Sequence, residues 1–217
     1  MQNFLFDFDG TIADSGDAAT LATKACFKDF DLEVPTAETV RYYMGVPIET
    51  FIPELVEKQG KHYSAEQFEA MYDSFRRHYG EIEQETTTLF PQMKDTLTAL
   101  KDAGKKLFIV SSKASTSLKR NLKTLGIADL FDDLIGSDQV EHYKPAPDGV
   151  LMVIEKYHLD KNESVMIGDA KYDLQMGKAA GVKTCGCLWD TFDAQLLKAE
   201  NPDFLLEKPA ELLNITS

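Results

Sequence analysis

Short apolar runs alternate with longer stretches of helical period along this chain. Phe4, Leu5, Phe6 and Phe8 form the first run, broken by Asp7 and Asp9, and read as a buried strand whose polar positions emerge at its C-terminal end. Leu107 to Val110, Leu134 to Gly136, Val165 to Ile167 and Val182 to Leu188 follow, with Phe204 to Leu206 as a sixth. Strands alternating with helices predict a parallel α/β sheet. One intervening helix has Ser115 as N-cap, Leu118, Leu122 and Leu125 on one face, and Gly126 as its stop. Another runs from Asp173 to Gly181, with Ala170, Leu174, Gly177 and Gly181 on the side that would lie close against the sheet.

About a hundred residues without a strand-like run separate the first strand from Leu107, too many for a simple crossover in a compact domain. Three apolar stripes fill the gap: Ala18, Leu21, Ala22, Ala25 and Cys26; then Phe51, Ile52, Leu55 and Val56; then Phe68, Met71, Tyr72, Phe75 and Tyr79. Gly45 closes one helix, Pro47 opens the next, Gly60 ends it, and Ser64 to Gln67 form a capping box. The pattern predicts a three-layer Rossmann-like core from residues 1–14 and 88–217, with a small helical cap inserted at 15–87. Polar residues 81–88 read as the return hinge and residues 14–17 as the outgoing one, an arrangement that suits a lid.

Composition narrows the function classes. Of 217 residues, 43% are hydrophobic and 27% charged, which describes an ordinary folded protein. The net charge of −13 sets most of the surface against nucleic acid and anionic membranes, so an anionic substrate needs a local cationic pocket. The N-terminal residues show no basic flank and no long apolar stretch, and a cytoplasmic location is expected. Cys26, Cys185 and Cys187 read as reduced core thiols, because Cys185-Gly186-Cys187 lacks the second ligand pair that a soft-metal site needs.

Candidate chemistry gathers at strand ends, where open parallel sheets bind ligands. Asp7-Phe8-Asp9-Gly10-Thr11 sets two carboxylates two residues apart, on one face if the strand continues through them. An Asp-Gly hairpin turn is the plain alternative, but no alternating return strand follows Gly10. A second apolar strand ends at Gly168-Asp169, so three acids are expected to converge, and hard oxygen ligands favour Mg²⁺. Asp173 faces the same way as Asp169, or is a solvated acid in a helix's first turn. Ser111-Ser112-Lys113 places a hydroxyl and backbone N–H groups at another strand end, and Lys144 sits in a stiff Lys-Pro-Ala-Pro loop.

In this order, Asp7 to Thr11, Ser111, Lys144 and Gly168 to Asp173 resemble the four motifs of the haloacid dehalogenase-like hydrolases, over essentially the whole chain. The helical insertion after the first motif is similar to that of phosphoglycolate phosphatase-like members. The resemblance implies a Mg²⁺-dependent phosphatase for a small phosphorylated metabolite, with no nucleic-acid or membrane partner, acting as a monomer or weak dimer. Asp7 would be the nucleophile forming an aspartyl-phosphate, and Asp9 the acid and base. The metal would be held by Asp7, the Asp9 backbone carbonyl and Asp169, with Asp173 on the metal or orienting Lys144 or a water. Ser111 and Lys144 would grip the phosphoryl group, with Ser112 and Arg41 as further substrate contacts.

Near relatives in chemistry are separated by single residues. Haloacid dehalogenases proper lack the acid matched by Asp9, since a departing halide needs no proton. Sugar phosphomutases carry a histidine where Ala18, Ala19 and Thr20 stand here. A phosphonatase would need a cap lysine such as Lys24 or Lys28, and a non-enzymatic phosphate binder would be expected to have lost a motif, whereas all are intact. Gln92, where relatives often have Gly, and Ser112, where many have Asn, depart from the pattern.

Overall fold

The computed structural model describes residues 1–44, 46–191 and 194–216. In chain order the elements are β1 (Asn3–Phe6), β2 (Ala13–Asp14), α1 (Gly16–Asp29), α2 (Ala37–Tyr42), α3 (Ile48–Lys58), α4 (Ala65–Thr86) and β3 (Thr88–Leu89). They continue with α5 (Met93–Asp102), β4 (Lys106–Val110), α6 (Ser115–Thr124), β5 (Asp133–Ile135), α7 (Asp148–Tyr157), β6 (Ser164–Gly168), α8 (Lys171–Ala180), β7 (Lys183–Cys187), α9 (Ala194–Ala199) and β8 (Phe204–Leu206). Two compact units result, Met1–Asp14 with Thr88–Ser217, and Ser15–Thr87.

The first unit is built on six parallel strands in the order β5-β4-β1-β6-β7-β8. The period-two alternation of side chains assigns each residue to a layer. Phe4, Phe6, Leu107, Ile109, Val165 and Ile167 face α5 and α6 through Met93, Leu97, Leu118 and Leu122. Leu5, Phe108, Val110 and Met166 face α7 and α8 through Val150, Val153, Ile154 and Met176. This is the expected three-layer α/β architecture, with strands buried on both faces and therefore legible as continuous apolar runs. Gly177 meets the sheet at Met166, where a Cβ would stand 2.8 Å from that side chain.

The second unit packs α1, α3 and α4 around Ile52, Val56, Met71, Tyr72 and Phe75. Ser64 caps α4 through the expected box with Gln67. Asp29 Oδ2 at the end of α1 accepts from Ser74 Oγ at 2.6 Å, lies 2.8 Å from His78 Nε2 and accepts from Arg77 Nη2 at 2.9 Å, all on α4.

Several local expectations are corrected. Ser115 is the first residue of α6, not its N-cap, which is Ala114; its hydroxyl donates to Asp138 Oδ2 instead. The polar stretch read as a return hinge is helical as far as Thr86, because the capped α4 carries on through it. The entry and exit of the insertion are marked instead by β2 and β3, which pair antiparallel through Ala13 with Leu89 and Asp14 with Thr88. Gln92 takes φ 66 at the start of α5, a left-handed position where glycine is the unstrained choice. Gly45, expected to end a helix, lies outside the described residues.

All three thiols are buried, as expected, and burial raises that of Cys26 to about 11 and that of Cys187 well above the ordinary value. Native protein is expected to be inert to a disulfide reagent such as Ellman's over minutes, and to release signal from all three cysteines once denatured. A fast-reacting native thiol would contradict this packing. Among the described residues, no helix is long and apolar enough to cross a membrane.

Candidate active site

Sheet order dictates where the chemistry lies. Strand order reverses at β1, with β4 and β5 added on one side and β6, β7 and β8 on the other, so the crevice beyond its C-terminal end is the switch point where open α/β sheets bind ligands. Phe6 pairs with Ile109 on one side and Ile167 on the other, which sets Asp7, Ser111 and Asp169 side by side just past three strand ends. The Asp7 N–H still donates to the Ile167 carbonyl at 2.8 Å. Beyond it the chain turns sharply: Gly10 takes φ 81, and the N–H groups of Ile12 and Ala13 return to the Phe8 carbonyl.

That turn changes which acids converge. One carboxylate oxygen from each of Asp7, Asp169 and Asp173 lies within 4.8 Å of the others, and all three residues are buried. Asp9 is not in this group. Because β1 stops at Phe6, the strand alternation expected to set the Asp7 and Asp9 carboxylates together does not apply, and Asp9 Oδ1 instead accepts from Lys113 Nζ at 3.1 Å. The third acid is Asp173, brought in by the first turn of α8; a Cβ at Gly168 would run into its carboxylate, so only glycine lets the two approach.

Lys144 completes the cluster. Its Nζ donates to Asp7 Oδ1 at 2.7 Å and to Asp173 Oδ1 at 2.6 Å, from a side chain only 5% exposed. Asp173 Oδ2 accepts the Ala170 N–H at 3.1 Å, so both of its oxygens already have partners. Asp169 Oδ1 accepts from the Thr11 hydroxyl at 2.9 Å. A Cβ on Gly10 would overlap that same carboxylate, so the first motif's glycine serves both the turn and the fit.

Electrostatics show what the cluster lacks. Burial raises Asp7 to about 6, against the pull of Lys144 and with help from the Asp173 charge. Asp169 is raised well above the carboxylate range by burial and by its Asp173 and Asp7 neighbours. Burial works against the Lys144 ammonium, but Asp173 and Asp7 outweigh it and hold its pKa above normal. Three buried carboxylates facing one ammonium leave a surplus of negative charge, and a hard oxygen donor set in that state suits Mg²⁺.

Ser111, Ser112 and Lys144 line one cavity together with Ser137, His142 and Tyr143. The Ser111 hydroxyl accepts the Lys113 N–H at 3.3 Å, and the Ser112 hydroxyl is buried without a hydrogen-bond partner among the described residues. Arg41 belongs to the helical unit, where its guanidinium donates to Asp17 at 3.1 Å and lies against Gly16.

Sequence reasoning gave no role to Lys113, Trp189 or Thr191. Lys113 is 8% exposed, bonds Asp9 and stacks over the Phe8 ring; its only signal was its place after Ser111-Ser112. Trp189 Nε1 donates to the Thr11 carbonyl at 3.0 Å and the Thr191 hydroxyl to the Asp169 carbonyl at 2.8 Å, contacts that no local pattern announces.

The parallel sheet in this order with an acidic cluster at its switch point makes this a Rossmann-like α/β protein, and residues 4–187 match a family of that architecture: the chain belongs to the haloacid dehalogenase-like hydrolases. It is 34% identical over 216 residues to the pyrophosphatase PpaX of Bacillus velezensis, across 98% of this chain and 94% of that one. To the phosphoglycolate phosphatase of Aquifex aeolicus it is 33% identical over 215 residues, across 99% and 96%. A haloacid dehalogenase-like family hydrolase from Streptococcus pneumoniae superposes with a TM-score of 0.88 at 26% identity, across 99% and 97%.

Proposed function

We propose that this chain is a Mg²⁺-dependent phosphatase of small phosphate esters working through an aspartyl-phosphate on Asp7. The observation that carries the reading is the buried triad Asp7, Asp169 and Asp173 with Lys144 bonded across it. Asp7, Asp169 and the Asp9 backbone would hold the ion, which when bound offsets the repulsion between an anionic nucleophile and an anionic phosphate. The names of the two curated relatives support phosphoglycolate, an ester, and pyrophosphate, an anhydride open to the same attack on phosphorus, as the first substrates to try.

A free oxygen of the Asp7 carboxylate attacks phosphorus while the bond to the leaving oxygen breaks, and protonated Asp9 gives that oxygen its proton. Asp9, now a carboxylate, takes a proton from the water that attacks the phosphorus; the bond to Asp7 breaks and inorganic phosphate leaves. Lys144 and the Ser111 and Ser112 hydroxyls meet the non-bridging oxygens, where charge builds in the transition state. Asp173 holds the Lys144 ammonium in place by its 2.6 Å contact. The helical segment 15–87 would act as the cap, with Arg41 a contact for the rest of the substrate.

The test is phosphate release from an aryl phosphate, phosphoglycolate, pyrophosphate and hexose phosphates, with Mg²⁺ and with EDTA. Release that EDTA stops and excess Mg²⁺ restores is expected. Release indifferent to EDTA would remove the metal from the reading, and silence across the whole panel would favour a mutase or a non-enzymatic phosphate binder.

A further inference from the structure

We infer that the segment Leu188–Thr191, leaving the end of β7, is a strap that positions Asp169 for the metal, with Thr191 and Trp189 as positioning residues. The inference rests on Asp169 being a metal ligand, as proposed above.

Three hydrogen bonds carry it, and they close a circuit through three separate parts of the chain. The Thr191 hydroxyl donates to the Asp169 carbonyl at 2.8 Å, fixing the backbone in the single residue between the end of β6 and the N-cap of α8. The Thr11 hydroxyl donates to Asp169 Oδ1 at 2.9 Å, fixing the carboxylate. Trp189 Nε1 donates to the Thr11 carbonyl at 3.0 Å and so ties that turn back to the strap. Asp169 is thereby held at both ends, its backbone from the strap and its side chain from the first-motif turn.

The strap has a rigid origin. β7 is paired on both sides, with β6 and β8, and the pairing runs one residue beyond it where the Leu188 N–H donates to the Leu206 carbonyl at 2.8 Å. The Trp189 ring packs on the apolar layer that also contains Ile12, Ile167 and Cys187, so its N–H is aimed by a large, half-buried side chain. Ligand carboxylates held in this way by outer partners are pre-set for the ion, and losing such a partner weakens metal binding roughly 10- to 100-fold. Trp189 is also the single tryptophan of the chain, so its emission can follow Mg²⁺ binding without a probe or a substrate.

The experiment titrates Mg²⁺ into the purified 217-residue chain, following Trp189 fluorescence and, in parallel, calorimetric heat. Wild type is expected to saturate. Thr191→Val, which keeps the side chain's shape and loses its donor, is expected to need at least ~10-fold more Mg²⁺, and Thr191→Ser to return to the wild-type midpoint. Trp189→Phe, followed by heat alone, keeps an aromatic ring, loses the N–H and is expected to shift the same way. Should Thr191→Val misfold, as judged by circular dichroism, Trp189→Phe decides. If the variants bind Mg²⁺ like wild type while Asp169→Asn abolishes binding, the strap inference is overturned and the metal assignment stands. If wild type shows no saturable binding by either signal, the metal assignment falls and the strap with it.

Discussion

Asp7→Asn is expected to lower kcat by more than ~10³-fold while the protein stays folded, because the substitution removes the proposed nucleophile and with it one carboxylate of the proposed metal site. The amide keeps the shape of the carboxylate and an oxygen able to accept from Lys144, which now donates to Asp7 at 2.7 Å. It also removes a negative charge from a buried group of three, so the metal-free variant is expected to melt no lower than wild type. Measuring phosphate release beside a thermal melt separates the two effects. Substantial turnover by a well-folded Asp7→Asn protein would show that another group attacks phosphorus.

Lys144→Met should do the opposite to stability and nearly as much harm to activity. The ammonium lies between Asp7 and Asp173, at 2.7 and 2.6 Å, and its removal leaves two buried carboxylates facing each other and Asp169. Breaking a buried ion pair from one side costs roughly 3–5 kcal/mol, and losing a donor to the transferring phosphoryl group costs roughly 10²- to 10³-fold in kcat. Urea unfolding without metal checks the first and turnover the second. Asp173→Asn in the same chain is expected to recover part of the lost stability, because it removes one of the stranded charges. Lys144→Met as stable as wild type would mean that the lysine is not the counter-ion the geometry makes it.

Much of this was legible because parallel strands buried on both faces write themselves as apolar runs: the first residues of the chain and Val165 to Ile167 needed no context to be read as strands. The capping box at Ser64 was equally plain, being a local contract between two side chains. What escaped the sequence was either too short to show a period or set by tertiary contact. The two-residue strands β2 and β3 carry no alternation to detect. Strand alternation misjudged the Asp9 side chain, because the left-handed turn at Gly10 is a property of the backbone rather than of the pattern. Lys113, Trp189 and Thr191 meet the site across separations of 104, 178 and 22 residues, each through a loop contact on which no periodicity carries information. The order of motifs, by contrast, pointed to Asp7, Ser111, Lys144 and Asp169: three of them stand just past strand ends, where topology rather than local pattern decides what meets, and Lys144 reaches them from the loop before α7.

The small ribbon formed by Ala13–Asp14 and Thr88–Leu89 has a consequence for how such a chain can change over generations. Because departure and return are clamped opposite one another, the register of the six-stranded sheet does not depend on the length of the seventy-odd residues between them. Closing a longer excursion costs only about 0.6 kcal/mol per doubling of its length. That segment is therefore a replaceable cassette. Mutation can remodel it in size, helix count or surface while the strand ends that gather Asp7, Ser111 and Asp169 keep their places, so about a third of the chain can vary without disturbing the sheet that positions those residues.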